Sequence, residues 1–114
     1  MRDPGIYVKD MIEAIDAVQR FVQGMDRESF ATNDLVKSAV VMKLMVIGEA
    51  SKKIPNEIKA EHPEIPWRAV AGMRARLIHF YFGVKHELVW DTIVQELPEI
   101  KNVLVKILED LEAQ

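Results

Sequence analysis

An all-α fold, an antiparallel bundle of four to five helices, is what this chain predicts, and three observations predict it. Apolar residues recur at helical spacing through most of its 114 residues. No segment sustains the apolar–polar alternation of a half-buried strand. The interruptions fall at Pro, Gly and helix-capping residues, with short connections between them.

Tyr7 to Gln23 carries Val8, Met11/Ile12, Ile15, Val18 and Val22 on one face, with Asp3 or Gly5 near its start and Gly24 to stop it. Met25 to Asn33 reads as a polar connection anchored by Phe30. Thr32 or Asn33 caps the next helix, Asp34 lies favourably in its first turn, and the helix runs to about Lys53. Its apolar face (Leu35/Val36, Ala39/Val40, Met42/Lys43, Val46/Ile47, Ala50) is wider than one stripe, which predicts a central place in the bundle. Glu49 interrupts that face. It is an exposed residue, an intrahelix partner for Lys53 one turn on, or a carboxylate that holds Arg74 or Arg76.

Pro55 ends this helix, Asn56 to Glu61 forms a short helical turn, and Pro63 and Pro66 make Glu64-Ile65 an extended link. A helix from Trp67 to Gly83 follows, with Pro66 at its first position, where a missing N–H is harmless. Apolar residues cover more than half of its circumference, so most of it is expected to be buried. Val84 to Glu96 forms another helix, with Leu88, Val89, Thr92 and Ile93 inward and Trp90 as a large anchor. Pro98 kinks it or starts a new one. Ile100, Val103/Leu104, Ile107/Leu108 and Leu111 mark a final amphipathic helix.

This length bounds the chain to one domain, residues 1–114, with a single core. There is no cysteine, which excludes disulfides, thiol nucleophiles and Cys-based zinc sites. The longest apolar stretch, Ala39 to Gly48, contains Lys43 and is too short to span a bilayer, and Met1-Arg2-Asp3-Pro4 lacks the apolar run of a signal peptide. A cytoplasmic location without membrane contact is the expectation. The net charge of −3 argues against a general nucleic-acid binder. Charge is unevenly placed, however: Ser51 to Lys85 carries +4, which leaves −7 elsewhere. A basic face on an acidic chain suits a site that holds a few phosphates; an ordinary solvated face is the plainer reading.

The central helix places a histidine, a tyrosine and three arginines among apolar residues, and cations are costly to bury unless paired. Arg74 and Tyr81 are seven apart and share a stripe; Arg76 and His79 are three apart and share another. Arg74 and His79 are five apart, so about 140° separates them on one straight helix. They converge only if the helix breaks, if the arginine wraps, or if a second subunit supplies the other half. His79 is the best candidate acid or base, because imidazole titrates near neutral pH. The alternative is a core histidine bonded to a backbone carbonyl. Tyr81 lines the same cleft as Arg74 or forms the edge of the core. His62 and His86 read as exposed. No His/Asp/Glu set has metal-ligand spacing, so neither a metal nor any other cofactor is expected.

Arg74, four residues, His79, one residue, Tyr81 resembles the R-x4-H-x-Y motif of HEPN-domain proteins, specifically the HepT toxin family. Ile47-Gly48-Glu49-Ala50-Ser51-Lys52, Ile65-Pro66-Trp67, Ala71-Gly72-Met73-Arg74, Tyr81-Phe82-Gly83-Val84 and Val89-Trp90 also fall as they do there, so the likeness covers nearly the whole chain. Two positions depart from the pattern: Ala75 stands where a polar residue, often Asn, is usual, and Phe80 where a polar or acidic one is common.

The resemblance implies a homodimeric toxin of a type VII-like toxin–antitoxin system that cleaves RNA (tRNA or mRNA) without a metal. Arg74 and His79 would be catalytic, with the cleft at the dimer interface. Arg76, Lys52 and Arg68 would hold RNA phosphates, with Glu49 behind them. Tyr81 would receive AMP from a cognate MNT-type nucleotidyltransferase, which silences the toxin by adding a bulky anion beside Arg74. Trp90, Phe80 and Phe82 are apolar positions that pairing would cover. A non-catalytic nucleotide-binding or transferase-docking module is the rival reading, and Ala75 and Phe80 favour it. A purely structural helix bundle is the third.

Overall fold

A computed structural model describes residues 3–81 and 86–114, with the backbone alone for His79, Phe80, Tyr81 and His86. Its described residues form an all-α fold, as the sequence predicts.

Helix α1 (Pro4–Phe21) starts at Asp3, whose carboxylate accepts from the Gly5 N–H at 2.9 Å, and Pro4 occupies the first turn. It buries Val8, Met11, Ala14, Ile15, Ala17 and Val18. Past its end Gly24 takes φ 78°, a left-handed conformation that glycine reaches without steric cost. The polar connection contains a short helix, α2 (Arg27–Ala31), that the periodicity does not announce. A capping box makes it: Asp26 accepts from the Ser29 N–H at 2.8 Å, and the Ser29 hydroxyl accepts from the Asp26 N–H at 2.9 Å. Phe30 is the expected anchor, fully buried.

Asn33 caps α3 (Asp34–Ser51), accepting from the Val36 N–H at 3.0 Å. The helix is central, packing on α1 and on the helices that carry the candidate site. Its breadth is only half used, though. Val40, Val41, Leu44, Ile47, Gly48, Ala50 and Ser51 are buried, whereas Leu35 is 81% exposed, Met42 61% and Val46 38%. α4 (Asn56–Glu61) follows, with Pro55 as its N-cap.

The expected single helix from Trp67 to Gly83 is two helices, α5 (Trp67–Ala71) and α6 (Met73–Tyr81), parted at Gly72; its expected terminator, Gly83, lies outside the described residues. Pro66 is not the first helical residue. It is the centre of a tight turn (φ −77°, ψ 74°) in which the Trp67 N–H reaches the Ile65 carbonyl at 2.8 Å.

α7 (His86–Asp91) buries Val89, and half-buried Trp90 lies 5.3 Å from Phe30, ring centroid to centroid. Leu88, expected inward, is 55% exposed, because this six-residue helix buries a single stripe. The register then widens through a π-turn, Thr92–Glu96, closed by the Leu97 N–H on the Thr92 carbonyl. Pro98, in the first turn of α8 (Leu97–Ala113), explains it: a proline here removes one N–H and crowds the preceding turn. α8 buries Leu97, Ile100, Leu104 and Ile107. It runs antiparallel to α1, since Lys101 pairs with Asp16 while Leu108 lies beside Gly5.

Candidate active site

The candidate site is set by one close approach. A Cβ placed on Gly48 would stand 3.0 Å from the Val70 carbonyl oxygen and 3.2 Å from Met73 Cβ. Glycine here lets α5 and the start of α6 lie directly against α3. Val70, Met73 and Leu77 then enter the core. The Gly72 N–H still reaches the Arg68 carbonyl, and the Arg76 N–H the Gly72 carbonyl, so the helical register carries approximately through the break.

That packing covers one stripe only. Arg68, Ala69, Arg74, Ala75, Arg76 and Ile78 are exposed. The expectation that most of this segment is buried does not hold for its described side chains, of which Val70, Met73 and Leu77 alone are fully buried, against α3. The arginines are therefore not buried cations. Among the described residues no carboxylate pairs with Arg68, Arg74 or Arg76. Met73 and Leu77 face the core, so Arg74 and Arg76 leave the helix on opposite flanks, with Ala75 on the outer crest between them.

His79 and Tyr81 are helical positions of α6; their side chains, like that of His86, lie outside the described residues. Phe82, Val84 and Lys85 lie outside them entirely. Glu49 is exposed and pairs with Lys52 at 3.4 Å, not with Lys53 and not with an arginine. An i, i+3 pair on one helix is the nearest partner available, and α6 presents its arginines to solvent. Lys52 and Lys53 are exposed at the end of α3, one turn past Gly48. His62 is half-buried rather than exposed, and its carbonyl accepts from Trp67 Nε1 at 2.9 Å.

Two features escape a reading of the sequence alone. The first is the outward stripe of α3, signalled only by an apolar face too wide for one contact. The second is Trp67, half-buried and covered by the Lys59 ammonium 5.9 Å from the ring centroid. Elsewhere, a polar groove between α1 and α3 is lined by Asp10, Glu13, Asp16, Arg20 and Lys43. No helix among the described residues is long and apolar enough to cross a membrane.

Residues 11–107 match the model of a family described as "Ribonuclease HepT-like". A protein of Methanocaldococcus jannaschii named "Putative RNase MJ1216" is 45% identical over 113 residues, covering 99% of this chain and 93% of its own length. A Thermococcus cleftensis protein named "Probable ribonuclease HepT" is 43% identical over 101 residues, 89% of this chain and 92% of its own. A third, from Caldanaerobacter subterraneus and named "Putative RNase TTE0752", is 36% identical over 96% of this chain and 97% of its own length. No solved structure matches significantly. With α-helices throughout the described residues and a match spanning most of its length, this chain belongs to the HepT-like ribonuclease family.

Proposed function

We propose that this chain is a metal-independent endoribonuclease, the toxin of a HEPN/MNT toxin–antitoxin pair, active as a homodimer on tRNA or mRNA. One observation carries the reading: Arg68, Arg74 and Arg76 stand exposed on consecutive helices, with no carboxylate paired to them among the described residues, in a chain of net charge −3. Unspent guanidinium forks suit phosphate oxygens. The names of the relatives point to the same substrate class.

In this reading His79 takes the proton of a ribose 2′-OH. The 2′-oxygen attacks the adjacent phosphorus, the bond from phosphorus to the 5′-oxygen breaks, and the leaving oxygen takes up a proton. Arg74 stabilises charge as it develops on the phosphate. Arg76, Arg68 and Lys52 hold neighbouring phosphates, and Glu49 acts through its pairing with Lys52. Tyr81, seven residues from Arg74 on α6, is where AMP from a partner nucleotidyltransferase would block the site.

A second copy would cover the outward stripe of α3, where Leu35, Met42 and Val46 are the largest exposed apolar residues. Trp90 is the weaker candidate for that contact, since it packs on Phe30 within its own chain.

The rival reading, a nucleotide-binding or transferase-docking module without catalysis, is favoured by Ala75, which puts an apolar methyl on the exposed crest between the arginines. Purified chain is incubated with RNA in excess EDTA. Cleavage that persists in EDTA and is lost in His79→Ala and Arg74→Ala supports the ribonuclease. Saturable nucleotide binding without turnover gives the binding module the lead.

A further inference from the structure

Trp67 is held in a way that its packing does not require. Its indole N–H is bound to the His62 carbonyl at 2.9 Å, which fixes the ring plane. One side packs on the core, and Lys59 Nζ lies 5.9 Å from the ring centroid. Trp67 is seven residues before Arg74. With helical hydrogen bonds maintained across Gly72, that spacing puts the two within about 20° of one flank, about 10 Å apart along the axis. An oriented aromatic ring with an ammonium on it, and two turns away a guanidinium that no carboxylate among the described residues pairs with, is the composition of a single-stranded nucleic-acid subsite: a base stacks, and the cations take the flanking phosphates.

We propose that Trp67 and Lys59 form a base-stacking subsite, one or two nucleotides from the phosphate held by Arg74. The base displaces the Lys59 ammonium from the ring, and Lys59 moves to the adjoining phosphate. Stacking of this kind tolerates any base, so the subsite recognises unpaired RNA rather than a sequence. This rests on the ribonuclease reading and adds two residues to its substrate path.

The test uses His79→Ala chain, which lacks the proposed base, with fluorescently labelled oligouridylate and an abasic sugar-phosphate oligomer of equal length. Trp67→Leu is expected to weaken oligouridylate on the order of tenfold and leave the abasic oligomer unchanged, and Trp67→Phe to restore most of the loss. Equal loss on both oligomers, or none on either, would overturn the proposal. Should Trp67→Leu fail to fold, quenching of Trp67 emission in a Trp90→Phe chain decides: it is expected with oligouridylate and not with the abasic oligomer, and its absence overturns the subsite. Cleavage by the unmodified chain, measured in parallel, separates this outcome from failure of the ribonuclease reading.

Discussion

Gly48 of α3 and Val70 of α5 meet backbone to backbone: a Cβ on Gly48 would come within 3.0 Å of the Val70 carbonyl oxygen. That oxygen belongs to helix backbone packed by buried Val70 and Met73, so it cannot yield as a flexible side chain would. Gly48→Ala is expected to push α5 and α6 outward and cost about 1–3 kcal/mol of stability. Denaturant unfolding measures the cost. RNA cleavage should fall with it, because the arginine helices ride on this contact.

Arg74 and Arg76 are exposed and lack carboxylate partners among the described residues, so their removal should leave stability within about 0.5 kcal/mol. Arg74→Ala is expected to lose about 100- to 1000-fold in cleavage rate at unchanged Tm. Arg74→Lys should recover little of it, since an ammonium lacks the planar fork. A large fall in Tm would mean that the side chain is structural.

The outward stripe of α3 makes a separable prediction. Met42→Asp combined with Val46→Lys places charges where Leu35, Met42 and Val46 now present apolar surface. In a single chain Met42 is largely exposed and Val46 lines the open groove between α1 and α3, so the double variant should still fold. Sedimentation equilibrium is expected to show a dimer for the unmodified chain and a monomer for the double variant.

Phe30 is fully buried with its ring 5.3 Å from Trp90, and it joins α2 to α7. Phe30→Ala should cost about 3–5 kcal/mol, read from denaturant unfolding. Loss of near-ultraviolet circular dichroism from Trp90 should accompany it.

The α2 cap is pH-dependent. The Ser29 backbone N–H, and then the Ser29 hydroxyl, hold the Asp26 carboxyl below its ordinary value of 3.8. A group depressed on folding contributes stability above its unfolded pKa and loses it as pH falls through the lower folded value. Asp26→Ala should therefore lower Tm at neutral pH, and the gap to the unmodified chain should close as pH falls below 3.8.

Periodicity and caps alone locate α1, α3 and α8, because each is an amphipathic segment with a residue of local chemistry at its start: Asp3, Asn33, Pro98; Pro55 alone marks the start of α4. The D-x-x-S box of α2 was equally local but lay in a polar stretch that hydrophobic spacing passes over. The arginines of the site were legible as residue types, and their neighbourhood was not. Hydrophobic content says how much of a helix favours burial; it does not say whether a neighbour is there to bury it. The segment after Trp67 reads as buried because apolar residues surround it, yet among the described residues half of its side chains stand exposed beside α3. The same gap left Leu35, Met42 and Val46 facing outward on a helix wide enough for two contacts.

The sequence by itself determined the all-α class, the order of its main helices and the residues able to bind phosphate, since propensity, capping and charge act within a few residues. Tertiary structure alone decided that the helix breaks at Gly72 and that the arginines stand in solvent. Those depend on which backbone Gly48 lets approach, a distance between segments far apart in the chain.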